Sequence, residues 1–240
     1  YLDFFNREPD ASGLAFWMGQ TTGCGNADLQ VCRNNVSGAF FVSGEFQETG
    51  YFVYKMYQAA YGVRAGEPVP TTLREFLPDL QQVGRGVVIG QAGAEAQLEA
   101  NKAAYAAEFA ARARFAALNA MTPAEFVNAL HANTENALTQ AERDSLVSRL
   151  TLGQITKARA LREVAENGAV NQKFFTRAFV LMQYYGYLRR NPYDAPELNL
   201  DFGGYNFWLG KLNQFGGNHI SSQMVQAFIT SGEYERRFGP

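Results

Sequence analysis

The sequence predicts an all-α fold, and three observations carry that prediction. Apolar residues recur at helical spacing along most of the 240 residues. Helix-start signals stand ahead of several of those stretches, and sustained period-two alternation is scarce. The one β-like run, Val87-Val88-Ile89, sits among Gly84, Gly86, Gly90 and Gly93 and reads as a connector.

From the start of the chain, Tyr1, Leu2, Phe4 and Phe5 have the pattern of the last turns of a helix, so the chain is expected to be a piece of a longer protein. Asp10-Ala11-Ser12-Gly13 offers a carboxylate to the free N–H groups of a helix carrying Phe16 and Trp17. Asp10 is a cap rather than a calcium ligand, because calcium loops need several alternately spaced oxygens. Phe52, Val53, Met56, Tyr57, Ala60 and Tyr61 follow the i, i+3, i+4 pattern, and Pro68 and Pro70 end that stretch. An alanine-rich helix is expected over 98–118, then helices over 126–131, 140–150 and 155–165. Two of these have capping boxes ahead of them, Thr122-Pro123-Ala124-Glu125 and Thr139-Gln140-Ala141-Glu142. Phe175, Ala178, Phe179, Met182 and Tyr185 continue the helical pattern.

Composition narrows the function classes. A formal charge of −2 supplies no basic field for phosphate backbones, so no nucleic-acid partner is expected. The best apolar stretch, 174–188, contains Arg177 and falls short of the roughly 18 residues that a membrane helix needs. At 47% hydrophobic, 14% aromatic and 18% charged, against a typical charged share of ~25%, the chain can bury a large core.

The two cysteines, Cys24 and Cys32, are separated by seven residues, too many for a short metal knuckle, and no histidine lies nearby. A local disulfide is the favoured reading, with two reduced thiols as the alternative. The disulfide would contribute about 2–3 kcal/mol and would imply an oxidising compartment.

The two ends of the chain resemble each other. The first carries Tyr1-Leu2, Asn6-Arg7-Glu8-Pro9-Asp10, Gly13 and Phe16-Trp17; the second carries Tyr187-Leu188, Arg190-Asn191-Pro192, Asp194, Gly204 and Phe207-Trp208. Matching tails follow, Ser43-Gly44-Glu45-Phe46 and Ser231-Gly232-Glu233-Tyr234. Each set reads as a structural joint. Proline ends one helix, aspartate caps the next, glycine permits close approach, tryptophan fills the gap, and arginine satisfies carbonyls at the end of the first helix. Glu45 and Glu233 are expected to make a duplicated helix-end interaction. The organisation expected is an N-terminal unit over 1–62, degenerate central helical units over 63–173 and a C-terminal unit over 174–240.

The Asn-Arg-Glu-Pro-Asp-Ala-Ser-Gly-Leu-Ala-Phe-Trp block and the Ser-Gly-Glu-Phe tail resemble the bacterial domain-of-unknown-function family 4214, all-helical and distantly similar to phycobilisome linker domains. The two-cysteine insert, Phe76-Leu77-Pro78-Asp79 and the 179–184 stretch resemble the C-terminal regions of large exported proteins of Acidobacteria-like bacteria. The resemblance implies a secreted or cell-surface module and carries over no catalytic residue. It departs in the segment 195–200 and in central units without tryptophan.

No chemistry-bearing motif stands out. His131 sits on a helix with Phe126, Val127 and Leu130, where a partly buried, hydrogen-bonded imidazole is expected, and His219 follows Gly216-Gly217-Asn218 as an exposed turn residue. The 84–90 stretch lacks the Gly-Lys-Ser/Thr ending of a phosphate loop. No pair among the 23 acids is singled out for glycosidase work. The function expected is a non-catalytic extracellular structural module mediating self-assembly, filament building or cell-surface attachment, with no cofactor and no metal. The alternatives are a carbohydrate-binding module with Trp17, Trp208, Tyr184 and Tyr185 as stacking platforms, and an all-α hydrolase.

Overall fold

The structure, a computed structural model, describes residues 1, 5, 8–23, 29–63 and 67–238. Leu2, Phe4, Asn6, Arg7 and Cys24 therefore lie outside the described residues. The helices are α1 (Ala11–Thr22), α2 (Leu29–Val42), α3 (Gly44–Glu48), α4 (Gly50–Tyr61), α5 (Leu73–Gly84), α6 (Ala94–Ala111), α7 (Ala116–Ala120) and α8 (Pro123–Asn133). They continue with α9 (Gln140–Thr151), α10 (Lys157–Ala165), α11 (Gly168–Gln183), α12 (Gly203–Gln214), α13 (Met224–Ile229) and α14 (Gly232–Phe238). A 3-10 turn spans Ala113–Phe115 and a π-helical turn spans Tyr184–Leu188. Among the described residues no β-strand forms, and the chain is all-α.

Local chemistry accounts for the helix starts. Asp10 accepts from the Gly13 N–H at 2.7 Å. Thr122 and Thr139 form complete capping boxes with Glu125 and Glu142, as their spacing predicts. A third box, Thr72 with Glu75, opens α5.

The chain divides into two compact units, Tyr1–Glu48 with Thr176–Pro240, and Thr49–Phe175. The second is organised around α4, whose residues from Gly50 to Ala60 are all buried. A helix buried all round belongs in the middle of a core, and its two non-aromatic polar side chains there are bonded, Lys55 to Asn171 and Gln58 to the Asn133 carbonyl. Helices α5, α8 and α10 pack on it, and α6 packs on α5 and α10. At its C-terminus, Asn133 Nδ2 donates to the Ala59 and Ala60 carbonyls at 3.0 and 2.9 Å. Gly62 there has φ +61°, and a Cβ on it would lie 2.9 Å from Asn133 Oδ1. Glycine alone suits both the left-handed backbone and the close approach.

In the first unit, α1 packs on α2, α2 on α13, and α13 and α14 on the π turn. The edge of Phe41 meets Tyr187 at 5.3 Å between centroids. This contact ties the α2 end of one sequence copy to the π turn of the other. His219 differs from its sequence expectation. It is half-buried, lies 5.1 Å from the Phe179 ring, and its imidazole occupies the space that a Cβ at Gly38 would need.

Candidate functional site

The residues that recur at the two ends of the chain make matching contacts. Trp17 stacks on Phe40 with centroids 4.2 Å apart and rings inclined by 24°, and Trp208 lies against Phe228, 5.7 Å away. Phe16 meets Trp17 edge-on at 5.1 Å and 79°, and Phe207 meets Trp208 at 5.1 Å and 78°. In the tails, Ser43 Oγ donates to the Phe40 carbonyl at 2.7 Å and accepts from the Phe46 N–H at 3.2 Å. Ser231 Oγ donates to Phe228 O at 2.7 Å and accepts from Tyr234 N–H at 3.1 Å. Each serine thus closes one helix and starts the next, satisfying groups that a helix end leaves unpaired.

The tyrosine register shifts by three residues from the sequence expectation. Tyr1 meets Phe40 edge-on at 5.5 Å, and the residue that does the same to Phe228 is Tyr184, at 5.1 Å, not Tyr187. A Cβ at Gly13 would collide with the Tyr1 hydroxyl, and one at Gly204 would lie 2.7 Å from that of Tyr184. These two glycines are required because a phenol occupies their missing side chain.

Arg190 holds the second joint. Its Nε and Nη2 donate to Glu233 Oε1 and Oε2 at 2.7 and 3.1 Å. Its Nη1 donates to the carbonyls of Asn191, Pro192 and Asp194 at 3.0, 3.0 and 3.2 Å. Those carbonyls belong to the turn, so the arginine rigidifies the turn rather than capping the preceding helix. Asp194 also departs from the capping role: its Oδ2 accepts from the Asn191 N–H and side-chain amide, both at 2.9 Å. The segment 195–200 displaces it from α12. Asp201 and Glu197 accept from the first amides there instead, Gly203 N–H at 2.8 Å and Gly204 N–H at 3.3 Å. In the first copy Pro9 and Glu45 are half-buried, while Asn6 and Arg7 are outside the described residues. Cys32 is buried, and its expected partner Cys24 is outside them too.

A buried ionic cluster in the second unit has no counterpart in the sequence reading. Asp79 on α5 accepts from Tyr57 and Tyr105 hydroxyls at 2.8 and 2.9 Å and from both Arg112 terminal nitrogens at 2.8 and 2.7 Å. Burial pushes the phenols of Tyr57 and Tyr105 up, and the neighbouring Asp79 adds to it. Burial disfavours the Arg112 cation, but its bonds to Asp79 and Glu108 outweigh that and raise its pKa. Asp79 and Arg112 themselves line an open cleft of about 240 Å³, together with Tyr57, Tyr61, Glu75 and Arg114. Asp79 thus accepts four hydrogen bonds, which occupy its acceptor sites in joining α4, α5 and α6.

A second cleft of about 370 Å³ between α9 and α10 contains Glu142, Arg149, Glu163 and Asn167. Arg149 holds Glu163 by two bonds, at 2.7 and 2.8 Å, and Arg159 adds a third at 2.9 Å. The hydrogen bond from Arg149, then that from Arg159, keeps this carboxyl below its ordinary range against the opposing effect of burial. It is held as an anion, the opposite of a general acid. His131 has no hydrogen-bond partner on its buried Nδ1, unlike the bonded imidazole expected. Burial, then the charges of Arg143 and Lys173, holds its pKa down. Among the described residues no cluster of three His, Cys, Asp or Glu side chains is placed to hold a metal ion. None of their helices is long and apolar enough to cross a membrane.

The surface is more telling than the clefts. Tyr184 and Tyr185 are buried and offer no stacking platform, while Trp17 and Trp208 are half-buried. Phe16 and Phe207, which the sequence marks as members of the repeated Phe-Trp pairs, are 57% and 61% exposed. They hold the same place beside the two tryptophans. No family model matches this chain, and no curated protein or solved structure matches it.

Proposed function

We propose that this chain is a non-catalytic extracellular structural module, built from related helical units and mediating self-association or attachment at a cell surface. The observation that carries the reading is the matched pair Phe16 and Phe207, each exposed and each braced edge-on by a tryptophan. An isolated exposed phenylalanine needs no explanation, but the same one at the same place in two joints does. Aromatic residues held rigid by their neighbours are well suited to protein contacts, because they bury large area at small entropic cost. The strongest ionic groups support the same reading, since Asp79, Glu163 and Arg190 are spent on joining helices.

Within this proposal the chain belongs with the family-4214-like modules, and Cys24 and Cys32 form the disulfide of an exported protein. Head-to-tail contact through the two phenylalanines is heterologous and propagates into a filament unless rotation closes it. Carbohydrate binding is the second reading, and the same exposed aromatic pairs favour it. Trp17, however, already gives one ring face to Phe40, which weakens it as a sugar platform. Sedimentation velocity across protein concentration separates the two. Mass rising with concentration supports self-association. A monomer at every concentration contradicts it, and a monomer that binds a glycan array favours the sugar reading.

A further inference from the structure

In the cleft of about 240 Å³ at Asp79, most of the polar groups are already closed to a guest. Arg112 spends all five of its N–H groups, on Asp79, on Glu108 and on the Tyr57 oxygen. The acceptor places of Asp79 go to Tyr57, Tyr105 and Arg112. The Tyr57 hydroxyl gives its proton to Asp79 and accepts from Arg112.

Three lining residues keep capacity to spare. Arg114 donates from Nη1 to Glu75 Oε1 at 3.0 Å, and its guanidinium makes no other hydrogen bond among the described residues. That guanidinium lies 3.9 Å from the centre of the Tyr61 ring, which fixes its plane at the wall of the cleft. The Tyr61 hydroxyl is buried and has no hydrogen-bond partner among the described residues. Buried hydroxyls are normally bonded, so this one calls for an acceptor. Glu75 Oε2 accepts from the Thr72 N–H and hydroxyl, both at 3.0 Å, and one acceptor place remains on Oε1 beside Arg114.

We propose that this cleft binds a small, flat, neutral molecule bearing a primary carboxamide, of the aromatic-amide class. The carbonyl of such a group accepts from Arg114 and Tyr61 while its NH2 donates to Glu75, so it answers both kinds of unspent group. A carboxylate meets no positive field, because Asp79 and Glu75 balance Arg112 and Arg114 in the lining and Glu108 also sits on Arg112. An ammonium reaches Glu75 but accepts nothing, which leaves Arg114 and Tyr61 unanswered. Tyr57, Tyr61 and Pro78 supply ring carbon for a flat body, and at about 30 Å³ for each water-sized group the volume holds roughly eight non-hydrogen atoms. The cleft belongs to the second unit and Phe16 and Phe207 to the first, so the proposal stands apart from the self-association reading.

The test is an NMR titration of the intact, isotope-labelled chain with benzamide, benzoate and benzylamine, which share a ring and differ in charge and donor pattern. Saturable amide shifts at residues 57–61, 75–79 and 112–114 are expected with benzamide. Benzoate and benzylamine should bind at least about fivefold more weakly, the discrimination that one hydrogen bond supplies. Tyr61→Phe should weaken benzamide binding about fivefold yet leave the melting temperature of the free chain unchanged or raised, because the lost hydroxyl has no partner there. Arg114→Gln, which removes a side chain 34% exposed, should weaken it about tenfold. The Phe16→Glu, Phe207→Glu double variant leaves it unchanged. Absence of saturable shifts, shifts centred elsewhere, or benzoate or benzylamine binding as tightly as benzamide overturns the proposal. So does benzamide binding indifferent to either Tyr61→Phe or Arg114→Gln. Association of the chain without benzamide binding removes this inference alone, and benzamide binding to a strictly monomeric chain removes only the self-association reading.

Discussion

Asp79 is the residue on which most of the buried polar energy of the second unit converges. Asp79→Asn removes the charge that two phenols and Arg112 share and leaves the half-buried Arg112 only Glu108 as an ionic partner, so the loss should fall toward the lower end of the about 3–5 kcal/mol that breaking a buried pair costs. Urea denaturation followed by tryptophan-independent circular dichroism should show that loss as a lowered midpoint. The cluster was illegible in the sequence because its members lie 22, 26 and 33 residues from Asp79, on α4 and on α6 with its C-cap. Trp17 and Trp208, by contrast, were legible because a motif repeated in order needs no contact map.

His219 gives a pH signature. Burial holds its folded pKa below the ordinary 6.5, so the unfolded chain takes up the proton first. Its contribution is complete above about pH 6.5 and is lost as pH falls through the folded value. Melting temperature should therefore drop between pH 7.5 and 5.5, and less so in His219→Gln.

At the scale of the element, caps and glycines make the sharpest predictions. Thr122→Ala and Thr139→Ala should each cost about 1 kcal/mol, read from thermal unfolding, because each strands helix N–H groups. Gly204→Ala places a methyl at the Tyr184 hydroxyl and should cost about 1–3 kcal/mol by overpacking. Adding Tyr184→Phe to it should recover much of the loss, and a double variant no better than the single one would refute the close-approach account. Helices with local start signals were readable because cap and first turn are neighbours in sequence. The role of Asp194 was not, since the 195–200 segment moves α12 away from it and hands the exposed amides to Glu197 and Asp201. The tyrosine register was readable in principle: Tyr1 to Pro9 and Tyr184 to Pro192 share one spacing, but Tyr187-Leu188 mimics Tyr1-Leu2 more closely.

For the whole molecule, the all-α class follows from patterns of three and four residues, which is why sequence sufficed for it. The unit joining 1–48 with 176–240 depends on contacts such as Phe41 with Tyr187, which no local pattern announces. The same limit applies to surface: exposure separates Phe16 and Phe207 from the half-buried tryptophans beside them, and periodicity alone does not. In the proposed module these two phenylalanines hold copies of the chain together. The direct measurement is sedimentation velocity on the chain and on its Phe16→Glu, Phe207→Glu double variant over the same concentrations. The account predicts association in the unaltered chain and a folded monomer in the variant. Equal association in both, or a monomer in both, would contradict it.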